Sequence, residues 1–189
     1  VFGMSVAETT RFQPTWGAGV LLGMVVMGIV SVVTSITKKS IALAGCVGIA
    51  IGMLALASSA VLEQAAWVRP SLFAMGVFTG IFNVGALAMM MSMTIEGATG
   101  LYMGLWGVAQ AFGTGIASMG SGALHTTLIE SGAMDPAVAY GSIFAMEAAA
   151  VTIAGGVLYH ISVQKFRDSQ ATGLSRADLA RAMEAGSTA

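Results

Sequence analysis

Residues 40–62 read SIALAGCVGIAIGMLALASSAVL, a run without a charged side chain. An α-helix rises 1.5 Å per residue, so about 20 apolar residues cross the hydrocarbon core of a bilayer, and this run is long enough to do so. Its apolar residues are continuous and do not alternate with polar ones. The run therefore predicts a transmembrane helix and not a strand of a membrane barrel.

Four further runs of the same kind predict a polytopic, all-α membrane protein. The five predicted spans are Trp16 to Ile36, Ser40 to Leu62, Pro70 to Thr94, Gly100 to Leu128 and Ala137 to Val163. Hydrophobic residues make up 56% of the chain and charged residues only 9%, which would leave a water-soluble protein without a polar surface. We therefore expect a helix bundle in a lipid bilayer, with no nucleic-acid partner.

The lysines and arginines are unevenly distributed between the two ends of the predicted helices. Six of the 8 follow the first or the last span: Lys38, Lys39, Lys165, Arg167, Arg176 and Arg181. Arg11 and Arg69 fall on the opposite side. Because cytoplasmic loops carry the excess of positive charge, we expect the N-terminus outside and the C-terminus in the cytoplasm.

The predicted domain organisation is a membrane domain over residues 1–163, with 1–15 as an outer-face loop, and a cytoplasmic tail over 164–189. In the tail, Ser175 and Asp178 resemble a capping box and predict a short helix at about 176–184. The chain begins at Val1 without a signal peptide, so we expect a fragment or a natural truncation. Cys46 is the single cysteine, and we expect no protein-bound metal.

Pairs of glycines four residues apart predict where the helices pack. Lipid tails do not drive helices together, so membrane helices associate at small residues that allow close backbone approach. Such pairs are Gly19 and Gly23, Gly48 and Gly52, Gly76 and Gly80, and Gly100 and Gly104.

The fourth span carries a polar stripe. At 100° per residue, one face holds Tyr102, Trp106, Gln110, Gly113, Thr114, Ala117 and Ser121. This face either lines a cavity or packs against a polar face of another helix, and Asn83 and Glu147 are deep polar residues that could meet it. The candidate ligand cavity therefore comprises Asn83, Tyr102, Trp106, Gln110, Thr114 and Glu147.

Glu147 lies well inside the fifth span, where a charged carboxylate costs several kcal/mol. It is therefore paired, protonated or directed into a cavity, and both a functional role and a structural hydrogen bond remain open.

Two histidines and a methionine cluster suit a pigment. His125 and His160 lie near span ends and are candidate ligands to a tetrapyrrole metal, or else half-solvated interfacial residues. Met89, Met90, Met91 and Met93 supply a flexible surface for a large planar ligand or fill gaps in the core. No hydrolytic or phosphate-binding constellation is present in the sequence, so we expect no enzyme.

Two stretches carry a family resemblance. Residues 1–10, VFGMSVAETT, leading to Trp16 and Gly17, and residues 100–115, GLYMGLWGVAQAFGTG, resemble the PucC-type bacteriochlorophyll delivery family, a branch of the major facilitator superfamily. The resemblance implies that these spans are the last five of twelve and that the N-terminal half is missing. It also implies a bacterial inner, photosynthetic intracytoplasmic membrane, with light-harvesting or reaction-centre polypeptides as partners.

Three functions follow for this chain. The first, implied by the resemblance, is assistance to light-harvesting complex assembly by binding or delivering (bacterio)chlorophyll or a precursor. The second is a truncated facilitator relative that acts as a structural subunit of an antenna or reaction-centre complex. The third is a proton-coupled transporter of a small molecule, with Glu147 as the titrating group.

Overall fold

A computed structural model describes residues 10–94, 98–132, 134–166 and 168–169. It contains five long α-helices: α1 Gln13–Val33, α2 Lys38–Val61, α3 Ala65–Ser92, α4 Thr99–Glu130 and α5 Pro136–His160. The described residues contain no β-strand, so the all-α prediction is confirmed. The predicted tail helix at about 176–184 and most of the predicted outer-face loop lie outside the described residues.

Within the described residues, four helices are long and apolar enough to cross a membrane, namely α1, α2, α3 and α5. The exception, α4, is the longest at 32 residues, but its glycine, serine, threonine and glutamine residues make it less apolar. Four candidate spans are therefore supported by length and composition. A fifth crossing by α4, and the orientation of the bundle, stay predictions.

Local sequence signals explain where several helices begin and end. The Thr37 hydroxyl accepts a hydrogen bond from the Ser40 backbone N–H at 3.1 Å, which caps α2. Asp135 caps α5 in the same way, accepting from the Ala137 N–H at 2.9 Å, and Pro136 occupies the first turn. After α4 the chain turns at Gly132, whose φ of 64° lies in the left-handed region that favours glycine.

The helices are neighbours in the order α1, α3, α2, α5, α4. Helix α3 packs against both α1 and α2, and α2 also packs against α5. Helix α4 packs sparsely, mainly against α5, and contains no buried residue. The core therefore lies between α2 and its neighbours, and α4 lies at the edge of the bundle.

Glycines hold α1 and α3 in close backbone contact. A Cβ atom at Gly23 would overlap the carbonyl oxygen of Val77 on α3, and one at Gly80 would overlap the carbonyl oxygen of Val20 on α1. Gly19 and Gly76 meet the opposite backbone in the same way. The two glycine pairs thus face each other across one helix crossing, as close packing in a membrane requires.

The other two predicted pairs differ from each other. On α2, Gly48 lies against the ring of Phe78, and a Cβ at Gly52 would be 2.8 Å from the Cβ of Met75. On α4, a Cβ added at Gly100 or Gly104 would meet no other side chain or helix of the described residues within 4 Å. Close packing therefore unites α1, α2 and α3 but does not extend to α4.

Candidate ligand cleft

An apolar cleft of about 540 Å³ lies between α4 and the other helices. From α2 and α3 it is lined by Cys46, Ile49, Phe82, Ala86, Met89, Met90 and Met93. From α4, α5 and the segment after α5 it is lined by Tyr102, Trp106, Val151, Ala154, Val157, Leu158, Ile161 and Phe166. Three helices thus form one wall, and α4 faces them across the gap.

The cleft lies toward the end of α4 that is opposite its ring contact with α5, and we call these two ends the wide end and the closed end of the α4–α5 gap. Near the α4–α5 connection, the ring centroids of His125 and Tyr140 are 4.2 Å apart. Toward the opposite end, Tyr102 and Trp106 on α4 face the cavity and not a neighbouring helix. The wide end is the end that carries Lys39 and Lys165, which is the predicted cytoplasmic side.

The cleft can hold a large apolar molecule. Its volume falls within the range of about 300–1,000 Å³ found for small-molecule sites. Nearly all of its lining atoms are apolar, and its three methionines can adapt their shape to a ligand. Tyr102 and Trp106 combine broad apolar rings with one polar group each, the side-chain type found where apolar and wet surroundings meet.

The six residues predicted to form a ligand cavity do not all converge. Tyr102 and Trp106 line the cleft, whereas Gln110 and Thr114 lie farther along α4 with exposed side chains. Asn83 on α3 is half-buried and outside the lining. The stripe on α4 therefore contributes its two aromatic residues to the site, and Gln110 and Thr114 in its middle part are exposed.

Glu147 lies next to the cleft without lining it. Its position is four residues before Val151, so both side chains project from the same face of α5. The Glu147 side chain is half-buried and has no hydrogen bond or ion pair with any described residue. It therefore lies between the closed end of the α4–α5 gap and the apolar cleft.

The two histidines do not line the cleft either. The Nε2 atom of His125 is buried and has no hydrogen-bond partner among the described residues. A metal would have to approach a ring nitrogen to about 2 Å, so ligation through this covered atom requires α4 and α5 to move apart. His160 is exposed at the end of α5, edge-on to the ring of Tyr159 at 5.6 Å.

Sequence reasoning missed the residues of α2 and α5 that line the cleft, and also Phe82 and Ala86 of α3. Cys46, Ile49 and Phe82 are apolar residues in apolar helices, and nothing in the sequence separates them from ordinary core residues. The methionine cluster was the one sequence signal that this end of α3 forms part of the site, because Met89, Met90 and Met93 all line the cleft.

Comparison with known proteins gives one family match and several longer relatives. A family model described as "PUCC protein" matches residues 1–166. A Rhodobacter capsulatus protein named "Bacteriochlorophyll synthase 44.5 kDa chain" is 33% identical over 153 residues, which cover 78% of this chain and 35% of that protein. "Protein PucC" of Cereibacter sphaeroides is 28% identical over 151 residues, covering 78% and 33% respectively.

A third relative, a Rhodobacter capsulatus protein named "Uncharacterized protein in puhA-bchM intergenic region", is 26% identical over 165 residues, covering 84% of this chain and 34% of that protein. The chain therefore spans about a third of the length of the curated relatives it matches. No solved structure matches the chain significantly.

Proposed function

Because the chain belongs to the PUCC protein family, we propose that it assists light-harvesting complex assembly by binding or delivering (bacterio)chlorophyll or a precursor. The observation that carries the proposal is the apolar cleft bounded by Trp106 and the α3 methionines. The name of one relative, a bacteriochlorophyll synthase chain, supports a pigment of this class.

The lining determines which part of such a pigment the cleft holds. Its aromatic, aliphatic and thioether side chains match the hydrocarbon parts of a chlorophyll-type molecule. No imidazole or carboxylate of the described residues lines the cleft, so it offers no such ligand to the central metal. We therefore assign the cleft to the hydrocarbon part of the pigment.

The bundle corresponds, in this proposal, to the last five helices of a major facilitator fold in an intracytoplasmic membrane. In this arrangement all five helices cross the bilayer, and the positive charge of Lys38, Lys39 and Lys165 supports a cytoplasmic position for the wide end of the cleft. Facilitators bind substrate between two halves that rock against each other. This chain would then need the N-terminal half of the fold for alternating access, but not for holding pigment in the cleft.

Binding or delivery involves no chemical turnover. One relative is named a synthase chain, so whether the protein alters the pigment chemically has to be measured directly. Pigment recovered from the protein should have the mass and absorption spectrum of the pigment supplied.

A second candidate function is a permanent structural subunit of an antenna or reaction-centre complex. It is favoured by the glycines of α4, at which an added Cβ would meet no other side chain or helix of the described residues within 4 Å: Gly100, Gly104, Gly107, Gly113, Gly115, Gly120 and Gly122. Small residues on a membrane helix are where another helix packs. A fixed ratio of this chain to antenna polypeptides after purification in mild detergent would support the subunit, and trace recovery would support a transient assembly factor.

The direct test of pigment binding is titration of the purified protein with bacteriochlorophyll a in mild detergent. We expect saturable binding with one pigment per chain and a shifted absorption band. Binding that grows without saturation, as into empty micelles, would contradict the proposal.

A further inference from the structure

One side chain joins the start of α2 to the end of α5. The Lys39 ammonium donates hydrogen bonds to the carbonyl oxygens of Tyr159 and Ile161, the second at 2.9 Å. It also lies 5.2 Å from the centroid of the Tyr159 ring, on its face. These contacts connect residues about 120 positions apart in the chain, at the wide end of the cleft.

Helix electrostatics explain the contacts. The last carbonyl groups of a helix lack partners within the helix, and a cation placed there satisfies them and opposes the negative end of the helix dipole. For α2 the same lysine is unfavourable, because it places a positive charge in the first turn. Its position is therefore accounted for by α5 and not by its own helix.

The bonded carbonyls belong to the segment that forms the end wall of the cleft. Ile161 lines the cleft, and its own carbonyl oxygen is one of the two acceptors. Phe166 follows five residues later and also lines the cleft. Lys39 thus holds the backbone at Ile161, and the turn that carries Phe166 begins directly after it, with the Phe166 N–H donating to the Ser162 carbonyl oxygen at 3.2 Å.

We propose that Lys39 is a positioning residue that holds segment 161–166 against α2 and so keeps the wide end of the cleft walled. Its effect on pigment binding rests on the proposed function, whereas its effect on the cleft does not. The neighbouring Lys38 is exposed and has no hydrogen bond with any described residue. It is the matched control, because its removal takes away the same charge from the same turn.

The rate at which Cys46 is labelled measures how open the wide end of the cleft is. Cys46 is the single cysteine of the chain, and its side chain lines the cleft. The experiment measures the rate at which an uncharged maleimide labels Cys46 in detergent-purified full chain, without pigment. Lys39→Met should label about tenfold faster, since losing hydrogen bonds from a charged donor raises the open population by at least that order.

Two further variants complete the test. Lys39→Arg keeps a cationic donor and should label at the wild-type rate, as should Lys38→Met. An unchanged or slower rate in Lys39→Met, or an equal increase in Lys38→Met, would overturn the assignment.

Circular dichroism and gel filtration show whether each variant is folded. If Lys39→Met does not fold, Lys39→Gln, which retains one neutral donor, should give a rate between those of wild type and fully unfolded protein. A wild-type rate in Lys39→Gln would then overturn the assignment. Because the assay contains no pigment, failure of pigment binding leaves its result unaffected.

Discussion

The imidazole ring of His125 on α4 lies against the phenol ring of Tyr140 on α5, with the ring planes inclined by 51°. Helix α4 has no buried residue, and its glycines make no close contact with the described residues. This ring pair therefore joins α4 to the bundle at the closed end of the gap.

Removing the ring pair should loosen α4. His125→Ala and Tyr140→Ala should each lower stability, and the pair should show a coupling energy of about 0.5–1.5 kcal/mol in a double-mutant cycle. Denaturation in increasing SDS measures it, and the exposed His160→Ala is the control. Fully additive losses would mean that the two rings do not interact.

Close packing of α1 on α3 should be sensitive to a single methyl group. Gly23→Ala should destabilise the protein by about 1–3 kcal/mol, because the added Cβ overlaps the Val77 carbonyl oxygen. Gly28→Ala on the same helix is the control, since the added Cβ would meet no other side chain or helix of the described residues within 4 Å. The same SDS denaturation compares the two variants. Equal stability of Gly23→Ala and Gly28→Ala would mean that α1 does not contact α3 at Gly23.

Trp106 should contribute to pigment affinity. Trp106→Ala removes the largest aromatic wall of the cleft and should weaken binding of bacteriochlorophyll a about tenfold, which corresponds to roughly 1.4 kcal/mol. Phe112→Ala on the same helix removes a side chain that is 68% exposed and outside the lining, so its affinity should equal that of wild type. Absorption titration measures both, and equal losses would show that the pigment binds on the surface of α4.

A substitution at Glu147 distinguishes pigment binding or delivery from proton-coupled transport. Glu147→Gln should leave the protein folded and at least as stable as wild type, because the carboxylate has no hydrogen bond or ion pair with a described residue to lose and a neutral amide avoids the cost of a buried charge. Cells carrying the variant should show no defect in proton-driven uptake of a small solute. Lost uptake together with normal antenna assembly would support the transporter instead.

The sequence predicted the helices well because membrane burial imposes long apolar runs, and each run became a helix. The largest difference is at α3, which begins at Ala65 and not at Pro70. Proline suggests a helix start because it lacks an N–H, but here it lies inside the helix, in its second turn. A sequence pattern alone does not show that the preceding turn is also helical.

The site was only partly predictable, for a physical reason. Periodicity places Tyr102, Trp106, Gln110 and Thr114 on one face of α4, and the structure confirms that all four lie on one continuous helix. Which part of the face meets a cavity depends on how α4 separates from α5, and this is a property of the packed bundle. Cys46 and Phe82 line the cleft because of tertiary packing, which no local sequence pattern predicts.

The most direct test of pigment binding in the cleft is protection of Cys46. Maleimide labelling of the wild-type chain should slow as bacteriochlorophyll a is added and should level off at one pigment per chain. Trp106→Ala should need about tenfold more pigment for the same protection. Labelling that stays unchanged while absorption shows bound pigment would place the pigment outside the cleft and contradict the assignment.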